Sequence, residues 1–225
     1  MTIKIEDLGL KSYQEVLSLQ VELLEKRSSN LIPDTIILCS HPAVVTLGRA
    51  SKESDLVGWS GDTFKTNRGG RATYHGPSQV VCYPILSLKE ENQSHLPFKT
   101  KDIRAYLEFL EGVIIESLSA LKITAKATSL KPLEPGQLNR GVWVEDRKIA
   151  SIGVAIKKWC TMHGFALNVL QDPSAFEGVM GCGFSKKTYT SINEILEQKA
   201  VSNQQSYEAM SALIKQILES KFKRA

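Results

Sequence analysis

No stretch of this chain is apolar for long enough to span a bilayer, so no membrane partner is expected. Cysteine is scarce and scattered. Cys39, Cys82, Cys160 and Cys182 show none of the spacing of a disulfide framework, which leads to the expectation of free thiols in a reducing cytoplasm. No GxxxxGK[ST] loop and no GxGxxG run is present, so no dedicated nucleotide site is expected. Internal repeats and low-complexity segments are absent as well. No stretch reads as an interdomain linker, so one domain over residues 1–225 is expected. Excess charge of one sign is lacking too: 28 lysines and arginines face 24 acids, a formal +4 well mixed along the chain. That balance carries no nucleic-acid footprint and only slightly favours an acidic partner. The first residues, Met1 to Asp7, hold neither an apolar h-region nor an Arg-rich amphipathic pattern, so neither secretory nor mitochondrial targeting is expected.

What is present reads as α+β. Ile3 to Leu8 suits a first strand, and Ser12-Tyr13-Gln14-Glu15 matches a capping box opening a helix whose apolar face is Tyr13, Val16, Leu17, Val21 and Leu24. Thr35 to Cys39 and Val80 to Leu88 read as buried strands. Between them, residues 51–61 read as loop and Thr63 to Thr66 as a short strand. Ile103, Tyr106, Leu107, Leu110, Val113, Ile114, Leu118 and Leu121 form a helical stripe, which is core packing and carries no chemistry. Residues 128–140 read as an exposed excursion. From Gly141 a β-meander is expected through Val144, Lys148 to Ile156 and Trp159 to Leu170. Asp172-Pro173-Ser174 suits the start of a short helix, Ser191 to Glu194 a second capping box, and Ser202 with Gln205 the start of the last helix.

Chemistry concentrates in three places. Arg68-Gly69-Gly70-Arg71-Ala72-Thr73-Tyr74-His75-Gly76-Pro77 alternates glycines with polar side chains, more than an ordinary turn requires. Backbone N–H groups there can approach a ligand and form an anion- or oxyanion-binding concavity; a long hairpin loop is the plainer alternative. Cys182 stands between Gly181 and Gly183, the setting of an exposed thiol whose own N–H can bind an oxyanion, or of an incidental loop cysteine. Lys148 begins an otherwise apolar strand. Partial burial there disfavours its charged form and makes it a usable base, although a lysine at a hairpin end often only reaches water. Cys160 with His163, and Cys39 with His41, have zinc-like spacing but lie in strand sequence without glycine knuckles, so no metal is assigned.

The ordered motifs Arg68-Gly69-Gly70-x-x-Thr73-Tyr74-His75-Gly76-Pro77, Gly141-Val142-Trp143-Val144, Lys148 to Gly153, His163-Gly164-Phe165-Ala166-Leu167-Asn168 and Cys182-Gly183 together resemble the octanoyl-[acyl carrier protein]:protein N-octanoyltransferases of lipoate biosynthesis. The resemblance runs from His41-Pro42 to about Ile192. It implies a biotin/lipoate-ligase-like α+β fold, a mixed sheet flanked by helices, needing neither ATP nor a metal. It also implies that Cys182 takes the octanoyl group from acyl carrier protein as a thioester. Lys148 would lower that thiol's pKa and assist attack by a lysine of a lipoyl domain. The acceptors implied are the lipoyl domains of 2-oxoacid dehydrogenase complexes and the glycine cleavage H protein. Arg68, Gly69, Gly70, Arg71, Ala72, Thr73, Tyr74, His75, Ser151, Ile152, Gly153, Gly164, Phe165 and Ala166 would line the acyl site, with His75 positioning its neighbours.

The chain departs from the family pattern at Arg71 (glutamine there), Ser78 (glycine) and Gly181 (proline), and residues 135–140 are longer than expected. Arg71 adds a charge expected to bear on acyl-chain preference, and Gly181 loosens the turn at Cys182. An ATP-dependent lipoate or biotin ligase on the same fold would instead show a phosphate loop and need no cysteine. A non-catalytic carrier-protein-binding module would have lost Cys182 or Lys148.

Overall fold

The Ser12 capping box forms as read: the Ser12 hydroxyl accepts the Glu15 N–H and the Glu15 carboxylate accepts the Ser12 N–H, both at 3.2 Å. It opens α1 (Tyr13–Ser28) in a computed structural model that describes residues 3–128, 140–180 and 186–223. Two sheets follow. The larger has the order β1 (Lys4–Leu10), β2 (Thr35–Ser40), β6 (Gln79–Ile85), β10 (Cys160–Asn168), β9 (Arg147–Lys157), β8 (Gly141–Val144), β7 (Lys126–Ala127). Only β1 and β2 run parallel in it, so the sheet is mixed. The smaller sheet is β4 (Asp62–Lys65), β3 (Val44–Leu47) and β5 (Ala72–His75).

The strand period distributes the core. Ile36 and Leu38 of β2 face the helical layer of α2 (Ile103–Ala120) and α4 (Tyr207–Lys223), with Leu110, Ile114, Met210 and Ile214. Ile37 and Cys39 face the other way, onto Val16 of α1. A strand covered on both faces must be apolar throughout, which is why Thr35 to Ser40 reads as a continuous run. The smaller sheet stands on the α1 side and also has two covered faces. Val45, Ala72 and Tyr74 pack on Phe176, Val179 and Tyr189. Thr46, Thr73 and His75 look toward the larger sheet.

Three expectations need correction. No helix starts at Asp172-Pro173-Ser174. The Asp172 carboxylate accepts the N–H groups of Ser174 and Ala175, but Phe176 at φ +64° and Gly178 at φ +70° keep the chain in successive turns. The last helix begins at Tyr207, not near Ser202, because Asn193 of α3 (Ile192–Gln198) bonds both the N–H and the C=O of Gln205 and holds that segment extended. Thr128 is buried rather than exposed: its hydroxyl donates to Gly141 O at 2.7 Å and accepts from the Trp143 indole. Residues 129–139 of that expected excursion lie outside the described residues.

The joint between the two sheets is polar and buried. His41 bonds Lys11 O through Nδ1 (2.8 Å) and the Tyr83 hydroxyl through Nε2 (2.9 Å). The His75 ring stacks 6.0 Å from Tyr13, edge-on to His41. Burial lowers the pKa of all three histidines at this joint: His41 below its usual range, His75 well below, and His163 to about 4. Arg68 pushes the last two the same way. Their neutral forms are native, so the unfolded chain binds more protons below its own histidine pKa of about 6.5. The stabilisation is therefore present above that pH and lost as pH falls from there toward 4. Melting temperature is expected to decline between about pH 6.5 and 5, above the carboxylate range, and His163→Asn is expected to flatten the decline. An equal slope in wild type and variant would refute this assignment.

Candidate active site

Lys148 is the second residue of β9, and regular alternation would place it with Ala150 and Ile152 against the helical layer. It does not go there. Val142 pairs with Ala150 and Trp143 with Lys148, so one step along β8 matches two along β9. Ile149 is the extra residue of a β-bulge and takes the place in the core. Lys148 is thereby turned to the opposite face, the one shared by Ser151, Gly153, Gly141 and Trp143. Its side chain runs over Gly141: a Cβ on that glycine would stand 2.6 Å from Lys148 Cε and 3.3 Å from Nζ. The lysine is fully buried, where partial burial was expected. Its Nζ lies 5.9 Å from the centre of the Trp143 ring.

Tyr189 pairs with Lys148 across an isolated parallel bridge, and Lys148 O accepts the Thr190 N–H at 3.0 Å. The chain before the Cys182 segment is also held. Met180 N–H donates to Asp55 O at 2.8 Å, and Val179 bridges to Leu56. Gly181, Cys182 and Gly183 themselves lie outside the described residues.

On the face that Lys148 joins, Tyr13, Arg68, Thr73, His75, Tyr83, Ser151, Gly153, His163, Gly164, Phe165 and Ala166 enclose a cavity of about 20 Å³. It has room for roughly one water. Lys148 is not one of its walls, but it lies beside the rung Gly141–Ser151, and Ser151 is. Arg68 is buried, and its guanidinium donates to Thr46 O and Oγ1, each at 2.7 Å, and to Gly69 O at 3.0 Å. Gly153 leaves space for it, since a Cβ there would meet Arg68 Cδ at 3.1 Å. Arg68 places a fixed positive charge beside the cavity. Burial pushes the nearby Tyr13 hydroxyl up to about 12, with Arg68 opposing.

Of the fourteen residues expected to line an acyl site, Arg68, Thr73, His75, Ser151, Gly153, Gly164, Phe165 and Ala166 meet here. The others do not. Ala72 and Tyr74 alternate to the far face of β5, and Ile152 to the helical layer. Gly69 donates its N–H to Val154 O and Gly76 to the Gln79 side chain. Those two groups are therefore committed within the protein and do not form the expected oxyanion concavity. Gly70 turns the chain at φ +83°, and its carbonyl accepts the Ala50 N–H. Arg71 points away onto Asp55, a fully buried carboxylate it pairs with, so its charge is not at the cavity.

Tyr13, Tyr83 and His163 were missed as walls. Tyr13 was read as part of an apolar helix face, and Tyr83 as a core strand residue. His163 drew notice only through its spacing from Cys160 and within a motif. Its φ of +57°, unusual for a histidine, was invisible in the sequence. No group of three or more metal-binding side chains occurs among the described residues. A wider opening of about 980 Å³ lies between Asp172 to Phe176 and Lys186 to Ser191; it is lined by Tyr189 and Thr190, which pair with Lys148, and by none of the expected residues. No helix among the described residues is long and apolar enough to cross a membrane.

Comparison with known proteins agrees with this architecture. Residues 12–216 match the family model of the lipoyl protein ligase A/B catalytic domain. The octanoyltransferase of Bdellovibrio bacteriovorus is 38% identical over 86% of this chain and 89% of its own length. That of Alkaliphilus metalliredigens is 39% identical over 87% and 86% respectively. Among solved structures, a bipartite lipoate protein ligase of Thermoplasma acidophilum superposes with a TM-score of 0.62 at 14% identity, covering 99% of this chain and 84% of that one. The biotin protein ligase of Aquifex aeolicus, in complex with biotin and ATP, gives 0.56 at 15%, covering 98% and 71%. At such identities these structures speak for the fold, a lipoate- and biotin-ligase-like mixed sheet flanked by helices. By the family match and the octanoyltransferase relatives, the chain belongs to the lipoyl protein ligase A/B catalytic domain family.

Proposed function

We propose that the protein is an octanoyltransferase that moves an octanoyl group from acyl carrier protein to a lysine of lipoyl domains through a thioester on Cys182. The observation that carries the reading is the bulge at Ile149, which turns a fully buried lysine onto the face of the cavity. Octanoyltransferase relatives at 38–39% identity support the choice of acyl group. Cys182 is seven residues before Tyr189, the residue that pairs with Lys148, so the far end of its short segment is tied to Lys148.

In this reading the Cys182 thiolate attacks the thioester carbonyl of octanoyl-acyl carrier protein. A C–S bond forms, the donor's C–S bond breaks, and the carrier leaves as its thiol, taking from Lys148 the proton that Lys148 drew from Cys182. In the second half the neutral ε-amine of the acceptor lysine attacks the octanoyl-Cys182 carbonyl. An amide bond forms, the thiolate of Cys182 departs, and Lys148 accepts the proton lost by the amine. The fixed charge of Arg68 favours the oxyanion that develops at each step. The apolar walls Phe165 and Ala166, together with the backbone of Gly153 and Gly164, would seat the alkyl chain. At about 20 Å³ the cavity must widen to admit it. The acceptors would be lipoyl domains of 2-oxoacid dehydrogenase complexes and the glycine cleavage H protein.

Incubation with octanoyl-acyl carrier protein is expected to add one octanoyl mass, labile to hydroxylamine and absent from Cys182→Ala. Passage of that group to an apo lipoyl domain without ATP is expected to follow. No adduct, with modification appearing only when ATP and free octanoate are supplied, would mean a ligase. Lys148→Ala is expected to lower transfer by about 10²–10⁴-fold, the usual range for a general base. Gly141→Ala tests the lysine's path. Its Cβ would overlap Ala150 O and stand 2.6 Å from Lys148 Cε, so both the β8–β9 pairing and the lysine must shift, and transfer should fall steeply in a protein destabilised by about 1–3 kcal/mol. Full activity in folded Gly141→Ala would contradict the placement of Lys148.

A further inference from the structure

Next to the small cavity lies a solvent-open groove of about 240 Å³, lined by Leu17, Val21, Leu24, Lys65, Thr66, Asn67, Lys157, Met162 and His163, of which Val21, Lys65, Asn67 and Lys157 are exposed. The two share one wall, His163. Three segments pass from one cavity to the other in step. Along α1 the lining moves from Tyr13 to Leu17, Val21 and Leu24, residues on one helical face spanning roughly 16 Å at the usual rise. Along β10 it moves from Ala166 back to Met162, and along the third segment from Thr73 and Arg68 back to Asn67 and Lys65. The cavities are thus successive stretches of a single crevice between α1, β10 and the glycine-rich segment.

Their shared wall makes a hydrogen bond across the crevice. His163 Nε2 meets Asn67 Oδ1 at 2.9 Å, joining β10 to the glycine-rich segment across the crevice. The His163 backbone N–H is fixed separately by Gln20 Oε1 at 2.8 Å. We propose that His163, held by Asn67, is the partition that sets the length of acyl chain the crevice accepts. The groove beyond it would receive the tail of chains longer than octanoyl once that partition is opened. This rests on the octanoyltransferase reading above.

The chemistry of the groove suits an alkyl tail. Leu17, Val21, Leu24 and Met162 form its apolar wall, and Lys65 and Lys157 are exposed and can extend their charges into water. Its volume equals about eight times the roughly 30 Å³ share of a water in the liquid, space on the scale of several methylenes. A neutral imidazole in contact with an alkyl chain carries little desolvation penalty beside a charged one.

The test compares octanoyl- and dodecanoyl-acyl carrier protein as donors to the full chain, read as acyl adducts by intact mass. His163→Gly removes the partition and suits a backbone at φ +57°. Asn67→Ala keeps the imidazole but frees it. Burying four further methylenes is expected to raise the dodecanoyl-to-octanoyl ratio by about tenfold or more in His163→Gly, and by less in Asn67→Ala. Adding Val21→Phe to His163→Gly refills the groove and is expected to return the ratio toward wild type. A structural role alone would slow both donors together. An unchanged ratio in whichever of the two variants still takes up octanoyl overturns the proposal, as does a raised ratio that Val21→Phe leaves untouched. Failure of the wild-type protein to accept either acyl group would instead remove the octanoyltransferase reading itself.

Discussion

One extra residue in β9 decides which face of the sheet Lys148 takes. Without the bulge at Ile149, Lys148 would fall in step with Ala150 and Ile152 and meet the helical layer, where an ammonium has no place. With it, an isoleucine fills the core and the lysine crosses to the polar side. Gly141 on the neighbouring strand goes with that change, since any side chain there would meet both the Ala150 carbonyl and the lysine's path. A buried lysine and a bare glycine thus depend on each other, and both depend on the register of β8 against β9.

The polar side is built for the same end. The bare glycine at 153 lets the glycine-rich segment and the sheet approach each other closely enough to bury Arg68 between them. The histidines around it are held neutral by burial, so the cavity carries one fixed cation rather than several titrating ones. Beyond the cavity, Asp55 joins two parts of the site. Its carboxylate anchors Arg71, and its carbonyl receives Met180, the last described residue before the cysteine segment. The arginine that departs from the family pattern is therefore engaged in holding loops together.

Much of this was legible in the sequence. Strand and helix order followed from periodicity, because β2 and α2 are covered elements with strong patterns. Residues of the Arg68 and His163 motifs do meet around one small cavity. Parity within β5, however, turned Ala72 and Tyr74 away from the site, and only strand pairing reveals parity. The bulge was equally hidden, since Lys148-Ile149-Ala150 carries no local signal for an extra residue. The last helix was placed five residues early because the side chain that holds Gln205 extended, Asn193, comes from another element.

The most direct test of the pairing of Lys148 with Cys182 is the pH dependence of Cys182 alkylation, in wild type and in Lys148→Ala. Burial raises the thiol pKa of Cys39, Cys82 and Cys160, so Cys182 can be followed alone at early times. The account predicts a wild-type midpoint below the roughly 8.5 of a free cysteine, moving upward when Lys148 is removed. A midpoint that is the same in both proteins would contradict it.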